Sequence, residues 1–187
     1  MPRLTKQIKL NLGCGANKLK GFINIDTEPS TKPDLVCNFV FNKLPYKDNS
    51  VEEVVFFHCI EHISKRLHPQ ILCEIWRVLK PGAKLFMSYP EFLKCVANWR
   101  TNYRGKKTFW EATLYGRQLY ASDSHVCIMH TPDFVEVLAD CGFIEINSSP
   151  ELTEIYNTML SCIKGVAVPK YVDLIKSAMN SKRSNPK

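Results

Sequence analysis

The segment Lys9-Leu10-Asn11-Leu12-Gly13-Cys14-Gly15 constrains this chain more than any other. Residues 7–12 read as a buried strand that stops at a turn containing two glycines. Glycine reaches positive φ and keeps a Cβ out of the path of anything approaching the backbone. A second strand, 22–26, ends on Asp26. Two successive strands with marked carboxyl ends point to a mostly parallel sheet with a ligand along that edge.

The rest of the chain continues the alternation. Residues 34–39 read as a third strand and 51–58 as a fourth, rich in Val and Phe. A helix over 69–79 follows from Ile71, Leu72, Ile75, Val78 and Leu79 at helical spacing, with Pro81-Gly82 at its end. Strand 83–89, a helix opening at Thr131-Pro132 and stopping at Gly142, and strands 143–147 and 158–167 complete the pattern. Residues 90–123 give no clear period. The expectation is one α/β domain over 1–187 with a twisted, mostly parallel sheet and flanking helices. Only a few residues join the first two strands, where a parallel crossover usually needs a dozen or more, so the first crossover helix should be degenerate.

The marked turn selects among nucleotides. A dinucleotide fingerprint needs a third glycine and an acid about 20 residues on. Here the third glycine position is Lys18 and Asp26 comes too early. A carboxylate at a strand end still suits ribose hydroxyls, so a cofactor without phosphates fits better.

The ordered set LNLGCG (10–15), GFINID (21–26), DLVCNF (34–39), LPYKDNSVEEVVFFHCIEHI (44–63) and EIWRVLKPGAKLFMSYP (74–90) resembles the class I S-adenosylmethionine (SAM)-dependent methyltransferases. It looks most like their small type 11 members. The likeness runs over residues 9–147 and includes 114–143. It implies a Rossmann-like methyltransferase fold and SAM as cofactor. Gly13 and Gly15, with Cys14 between them, would pack under the methionine and ribose. Asp26 would hold the ribose hydroxyls. Asn38 and Phe39 would lie near the adenine, and His58 would face the sulfonium end. Asn11 and Asn38 stand where wider relatives carry acids; the Asn38 amide oxygen can still accept from the adenine amino group.

Other patterns compete. His58-Cys59-Ile60-Glu61-His62 matches H-x-x-E-H, a zinc-hydrolase pattern that needs both histidines on one helical face. With His58 directly after a strand, Glu61 and His62 read instead as ordering the loop beside the cofactor, and no metal is expected. Asp123, His125 and His130 cluster with Tyr115, Arg117 and Tyr120, a set that could line an acceptor pocket. If a base acts, the order of choice is His125, His58, Glu61. Trp99, Arg100, Tyr103, Arg104, Lys106, Lys107, Phe109 and Trp110 interleave aromatics with bases, as nucleic-acid contact would require, but an amphipathic segment with solvated charges explains them as well. The Asp/Asn-Pro-Pro-Tyr/Phe string of amino-methylating DNA enzymes is missing after the fourth strand; Ser88-Tyr89-Pro90-Glu91-Phe92 follows the next one.

Charge and composition narrow the class further. The net charge of +7 favours an anionic partner, although residues 176–187 form a basic tail expected to be frayed. No apolar run approaches the roughly 18 residues of a membrane span, and Met1–Lys6 lacks a signal peptide's apolar stretch. The 8 cysteines form no C-x-x-C pair, consistent with reduced thiols in a cytoplasmic protein. The acceptor is expected to be a small molecule or sugar, with a nucleic-acid-binding methyltransferase or basic binding module as the alternative, and residues 90–130 are expected to cover it.

Overall fold

The computed structural model describes residues 7–102, 107–119, 123–148 and 156–172. Its centre is a seven-stranded sheet. The strands, in chain order, are β1 (Lys9–Leu12), β2 (Ile23–Asp26), β3 (Leu35–Val36), β4 (Val51–Phe57), β5 (Leu79–Pro90), β6 (Phe143–Ser148) and β7 (Asn157–Lys164). They lie in the order β3-β2-β1-β4-β5-β7-β6. The first five are mutually parallel, and β7 runs antiparallel between β5 and β6. This is the expected α/β Rossmann-like architecture.

Leu10, Leu12, Ile25, Val54, Phe56, Leu85 and Met87 of the central strands are buried in one core. Parallel strands covered on both faces carry such apolar runs. Helix α1 (His68–Val78) turns Ile71, Leu72, Ile75 and Val78 inward, and packs near α4 (Thr131–Asp140), which buries Phe134 and Leu138. No helix among the described residues is long and apolar enough to cross a membrane.

The connection between β1 and β2 contains turns and no helix. A polar ladder does the helix's work. Asn11 Nδ2 donates to the Asn17 carbonyl and to Asn24 Oδ1, both at 2.9 Å. Asn24 Oδ1 also accepts from Leu19 N, and Asn24 Nδ2 donates to Asp34 Oδ2, each at 2.8 Å. Buried amides satisfied in this way fix a short loop that has no apolar face to bury.

Three boundaries differ from the sequence reading. The third strand is only Leu35–Val36, because after Cys37 N donates to the Asp26 carbonyl at 2.9 Å the chain turns, with Phe41 N and Asn42 N bonded to the Asn38 carbonyl. β5 starts at Leu79, directly after α1, and Pro81-Gly82 sits in a register shift, pairing skipping from Leu79 to Lys84; a bulge absorbs the turn signal. Residues 90–123 hold two helices, α2 (Phe92–Asn102) and α3 (Lys107–Tyr115). The signal for α2 was present in Glu91, which is buried and accepts from Lys94 N at 2.8 Å, as an N-cap acid does. The basic tail lies outside the described residues.

Candidate active site

The sheet order reverses between β1 and β4, and ligands in open α/β sheets bind at such a point. A cleft of about 990 Å³ opens there, lined by the turns after β1, β2 and β4 and by residues within 112–119, 123–125 and 156–157.

On one wall, Gly13 and Gly15 have φ of 62° and 49°. Their surroundings differ. A Cβ on Gly13 would stand 2.3 Å from Cys59 Sγ, whereas one on Gly15 would meet nothing within 4 Å. The first glycine therefore lets two loops of the protein touch, and the second leaves space. Asp26, 9% exposed, lies beside that space. Its Oδ2 accepts from Gly15 N at 2.7 Å and its Oδ1 from Glu28 N at 2.8 Å. Asn11, Cys14 and Phe39 also line the cleft, although the Asn11 amide nitrogen is engaged in the β1–β2 connection. Asn38 is exposed and not on the cleft wall.

The opposite wall is titratable. His58 ends β4 with φ of 49°, and its ring stands between two residues: Nδ1 is 3.4 Å from Glu61 Oε1 and Nε2 is 3.4 Å from Asn157 Nδ2. Residues Ile60–His62 form a 3-10 turn, so His58 and His62 do not share the helical face that H-x-x-E-H zinc chemistry requires. Glu61 is 1% exposed, and neither of its carboxylate oxygens has a hydrogen-bond partner among the described residues. His62 Nδ1 lies 3.1 Å from the Ser124 carbonyl. The His125 ring packs edge-on against His62, with centroids 4.7 Å apart. Burial pushes the His125 pKa down, and the Glu61 carboxylate pulls partly the other way.

Residues 123–127 are pinned to the turn after β4. Val126 N donates to the Glu61 carbonyl at 2.9 Å, and Cys127 Sγ lies 3.4 Å from the Ile63 carbonyl. His68, at the start of α1, directs Nε2 at the carbonyls of Ile60 and Ile63, at 3.1 and 2.8 Å. Arg117 and Asp123 reach the cleft and approach each other at 3.4 Å. Tyr115 does not reach it and is 60% exposed. His130 lies off the cleft, paired with Asp133 at 3.0 Å. Tyr120 lies outside the described residues, as do Tyr103, Arg104 and Lys106 of the aromatic–basic stretch; Trp99 and Arg100 are exposed. Cys59 and Cys14 are not thiolate nucleophiles: burial, then for Cys59 the Glu61 charge and for Cys14 the Asp26 charge, raises both thiols above their usual range.

Sequence reasoning missed Thr113, Tyr156 and Asn157 on the cleft wall. The last two arrive because antiparallel β7 begins beside Pro90, where β5 ends; no motif spacing encodes that meeting.

A methyltransferase domain family matches residues 19–87. A SAM-dependent methyltransferase from Methanosarcina mazei has a similar structure, with 18% identity and a TM-score of 0.60 over 88% of this chain and 95% of that one. One from Archaeoglobus fulgidus is 13% identical, with a TM-score of 0.61 over 84% and 86%. Phosphoethanolamine N-methyltransferase 2 of Haemonchus contortus, solved in complex with S-adenosyl-L-methionine, is 14% identical, with a TM-score of 0.55 over 86% of this chain and 49% of that one. No curated protein sequence matches the chain.

Proposed function

We propose that the chain transfers a methyl group from SAM to a small molecule or sugar in the cleft at the β1–β4 reversal; residues 19–87 match a methyltransferase domain family, and the chain shares its fold with SAM-dependent methyltransferases. One observation supports this above the others. A Cβ on Gly13 would run into Cys59, whereas Gly15 leaves open space beside a buried carboxylate. Asp26 already accepts two backbone N–H groups, yet a carboxylate offers about four lone-pair sites, so each oxygen keeps one for a ribose hydroxyl. Gly13, Cys14 and Gly15 would lie against the methionine and ribose, Phe39 near the adenine, and His58 toward the sulfonium.

When bound, SAM supplies an already activated methyl group, so the chain's task is positioning. Arg117 and Asp123 orient an acceptor from the covering segment. His125 offers a ring nitrogen to an acceptor that must lose a proton, with His58 and Glu61 as the next choices. Residues 123–127, strapped to the 60–63 turn, shield this wall from water. Unpaired cysteines throughout the described chain support a reducing, cytoplasmic setting.

Calorimetric titration with SAM and with S-adenosylhomocysteine tests the reading without knowledge of the acceptor. Saturable binding of both, at one per chain, is expected. Binding of neither would overturn it.

A further inference from the structure

Glu61 poses a physical problem. A carboxylate that is 1% exposed, with both oxygens lacking a hydrogen-bond partner among the described residues, is costly to keep in a protein interior. His58 Nδ1 comes to 3.4 Å of it, but that ring is half exposed and makes no hydrogen bond to it. The other side of the carboxylate faces two imidazoles. One ligand atom each from Glu61, His62 and His125 can be chosen so that all three lie within 4.8 Å of one another.

Both imidazoles are held in a donor-ready state. His62 Nδ1 faces the Ser124 carbonyl at 3.1 Å. A carbonyl only accepts, so Nδ1 carries the hydrogen and Nε2 keeps its lone pair. A ring nitrogen of His125 is likewise bonded to the Thr113 backbone, which leaves the other nitrogen for a ligand. Metal-binding histidines are oriented in this manner, by an N–H held on a carbonyl behind the ring.

From this arrangement we propose that Glu61, His62 and His125 bind a divalent transition-metal ion of the zinc class, with an open position facing the acceptor. Two imidazoles and a carboxylate are a donor set for such ions, and three protein ligands leave a coordination site free. Zinc–ligand bonds of about 2.0–2.1 Å place tetrahedral ligands roughly 3.4 Å apart, so the three groups need to draw together by at most about 1.4 Å. Side-chain rotation of His125, on a loop, supplies that. The set differs from H-x-x-E-H: His58 is not a member, and His125 comes from the covering segment.

The inference rests on the methyltransferase reading and sharpens its acceptor. A Lewis acid at the acceptor wall lowers the pKa of a bound hydroxyl. The acceptor is then an alcohol or phenol. Its O–H proton leaves to solvent, its oxygen forms the bond to the methyl carbon, and the sulfur–methyl bond breaks with the electron pair staying on sulfur. The ether, the neutral thioether product and one proton account for every atom. In this arrangement His125 acts as ligand and not as base.

The test uses chelator-stripped full-length protein, titrated with zinc alone against a chromophoric chelator and, separately, with S-adenosylhomocysteine. One zinc per chain is expected. Glu61→Gln and His125→Ala should each weaken it by at least about 100-fold, beyond the usual effect of losing a supporting group behind a ligand, while His58→Ala changes it by less than about threefold. Retained S-adenosylhomocysteine affinity in Glu61→Gln and His125→Ala, and an unchanged urea midpoint in His58→Ala, show that the fold survives. Absence of stoichiometric zinc, retention of zinc by both ligand variants, or equal loss in His58→Ala would each overturn the site. S-adenosylhomocysteine binding without zinc would sink the metal site and leave the methyltransferase reading standing; zinc binding without S-adenosylhomocysteine would do the reverse.

Discussion

The turn after β1 and the residues 112–119 and 123–125 form opposite walls of one cleft, yet they are fixed by different interactions. The first is held by short bonds among buried groups: Gly15 N to Asp26 at 2.7 Å, Cys14 N to the Ile25 carbonyl at 3.1 Å, and the Asn11–Asn24 contact at 2.9 Å. The second is tied at a few points, such as His125 N to the Tyr115 carbonyl at 3.0 Å, and leaves Tyr115 and Leu119 more than half exposed. Few buried apolar contacts mean a lower local cost of opening. On the proposed function, the first wall would always meet the same cofactor and can be rigid, while the second would admit and release an acceptor and gain from looser attachment.

The sharpest way to break this contrast is within the rigid wall itself. Gly13→Val places a branched carbon where Cys59 Sγ stands, at a φ of 62°. Strain and overpacking together cost about 3–5 kcal/mol, a large part of a domain's stability. Urea unfolding should show that loss along with failure to bind SAM. Gly15→Ala meets no atom, so its cost is the left-handed backbone alone, about 1–2 kcal/mol, and cofactor affinity falls while the fold persists. Equal stability in the two variants would show that the Gly13–Cys59 approach is not structural.

His68 tests the joint between the walls, since its ring holds the turn that presents Glu61 and His62. His68→Ala removes the imidazole from the Ile60 and Ile63 carbonyls, which keep Ile63 N and Cys127 Sγ as their other partners, and opens a cavity, at about 2–4 kcal/mol. The wild type should also show an acid slope. Burial, the first cause, depresses the His68 pKa in the folded state. Above about pH 6.5 both folded and unfolded forms are neutral. Below it the unfolded chain takes up a proton that the folded chain resists, so stability falls until the folded value is passed. Urea midpoints across that window should drop less steeply in His68→Gln. An unchanged slope would remove His68 from the acid response.

Asp26→Ala should be milder in stability and clear in binding. Losing a charge-assisted bond to a buried hydroxyl costs about 1.5–3 kcal/mol of SAM affinity. The structure adds that Gly15 N and Glu28 N lose their acceptor, so unfolding should also ease by about 1–2 kcal/mol. Full affinity in this variant would take Asp26 out of the cofactor site.

The same contrast explains what the sequence disclosed. Strand ends, glycines and Asp26 are local signals, and most of the rigid wall was legible from them. The Asn11–Asn24–Asp34 ladder was not, because hydrogen-bonded asparagines in a short loop look like ordinary turn residues. Asn38 lies off the cleft wall, since the third strand stops three residues before the end expected for it. On the other wall, Glu61, His62 and His125 come from segments more than sixty residues apart, brought together by the bonds from Val126 N to the Glu61 carbonyl and from His62 to the Ser124 carbonyl. Periodicity could not assign 90–123, since aromatics and bases mask the faces of its two helices.

The smallest expected effect in stability belongs to Arg117, and it probes the looser wall most directly. Its guanidinium is 64% exposed and 3.4 Å from Asp123, a geometry that contributes about 0–1 kcal/mol to folding. Arg117→Ala should therefore unfold almost as the wild type does. SAM affinity should also hold, because the residues proposed to hold the cofactor lie across the cleft. What should change is the acceptor: a rise of roughly tenfold in its KM, about 1.4 kcal/mol, with kcat nearly constant, marks lost binding shared by ground and transition states. Asp123→Asn should act in the same direction, since the Asp123 carboxylate accepts from Leu119 N at 3.2 Å and shapes the loop that carries Arg117. Should Arg117→Ala instead lower SAM affinity while turnover per bound SAM stayed normal, Arg117 would belong to the cofactor site, and the division of labour between the walls would be wrong.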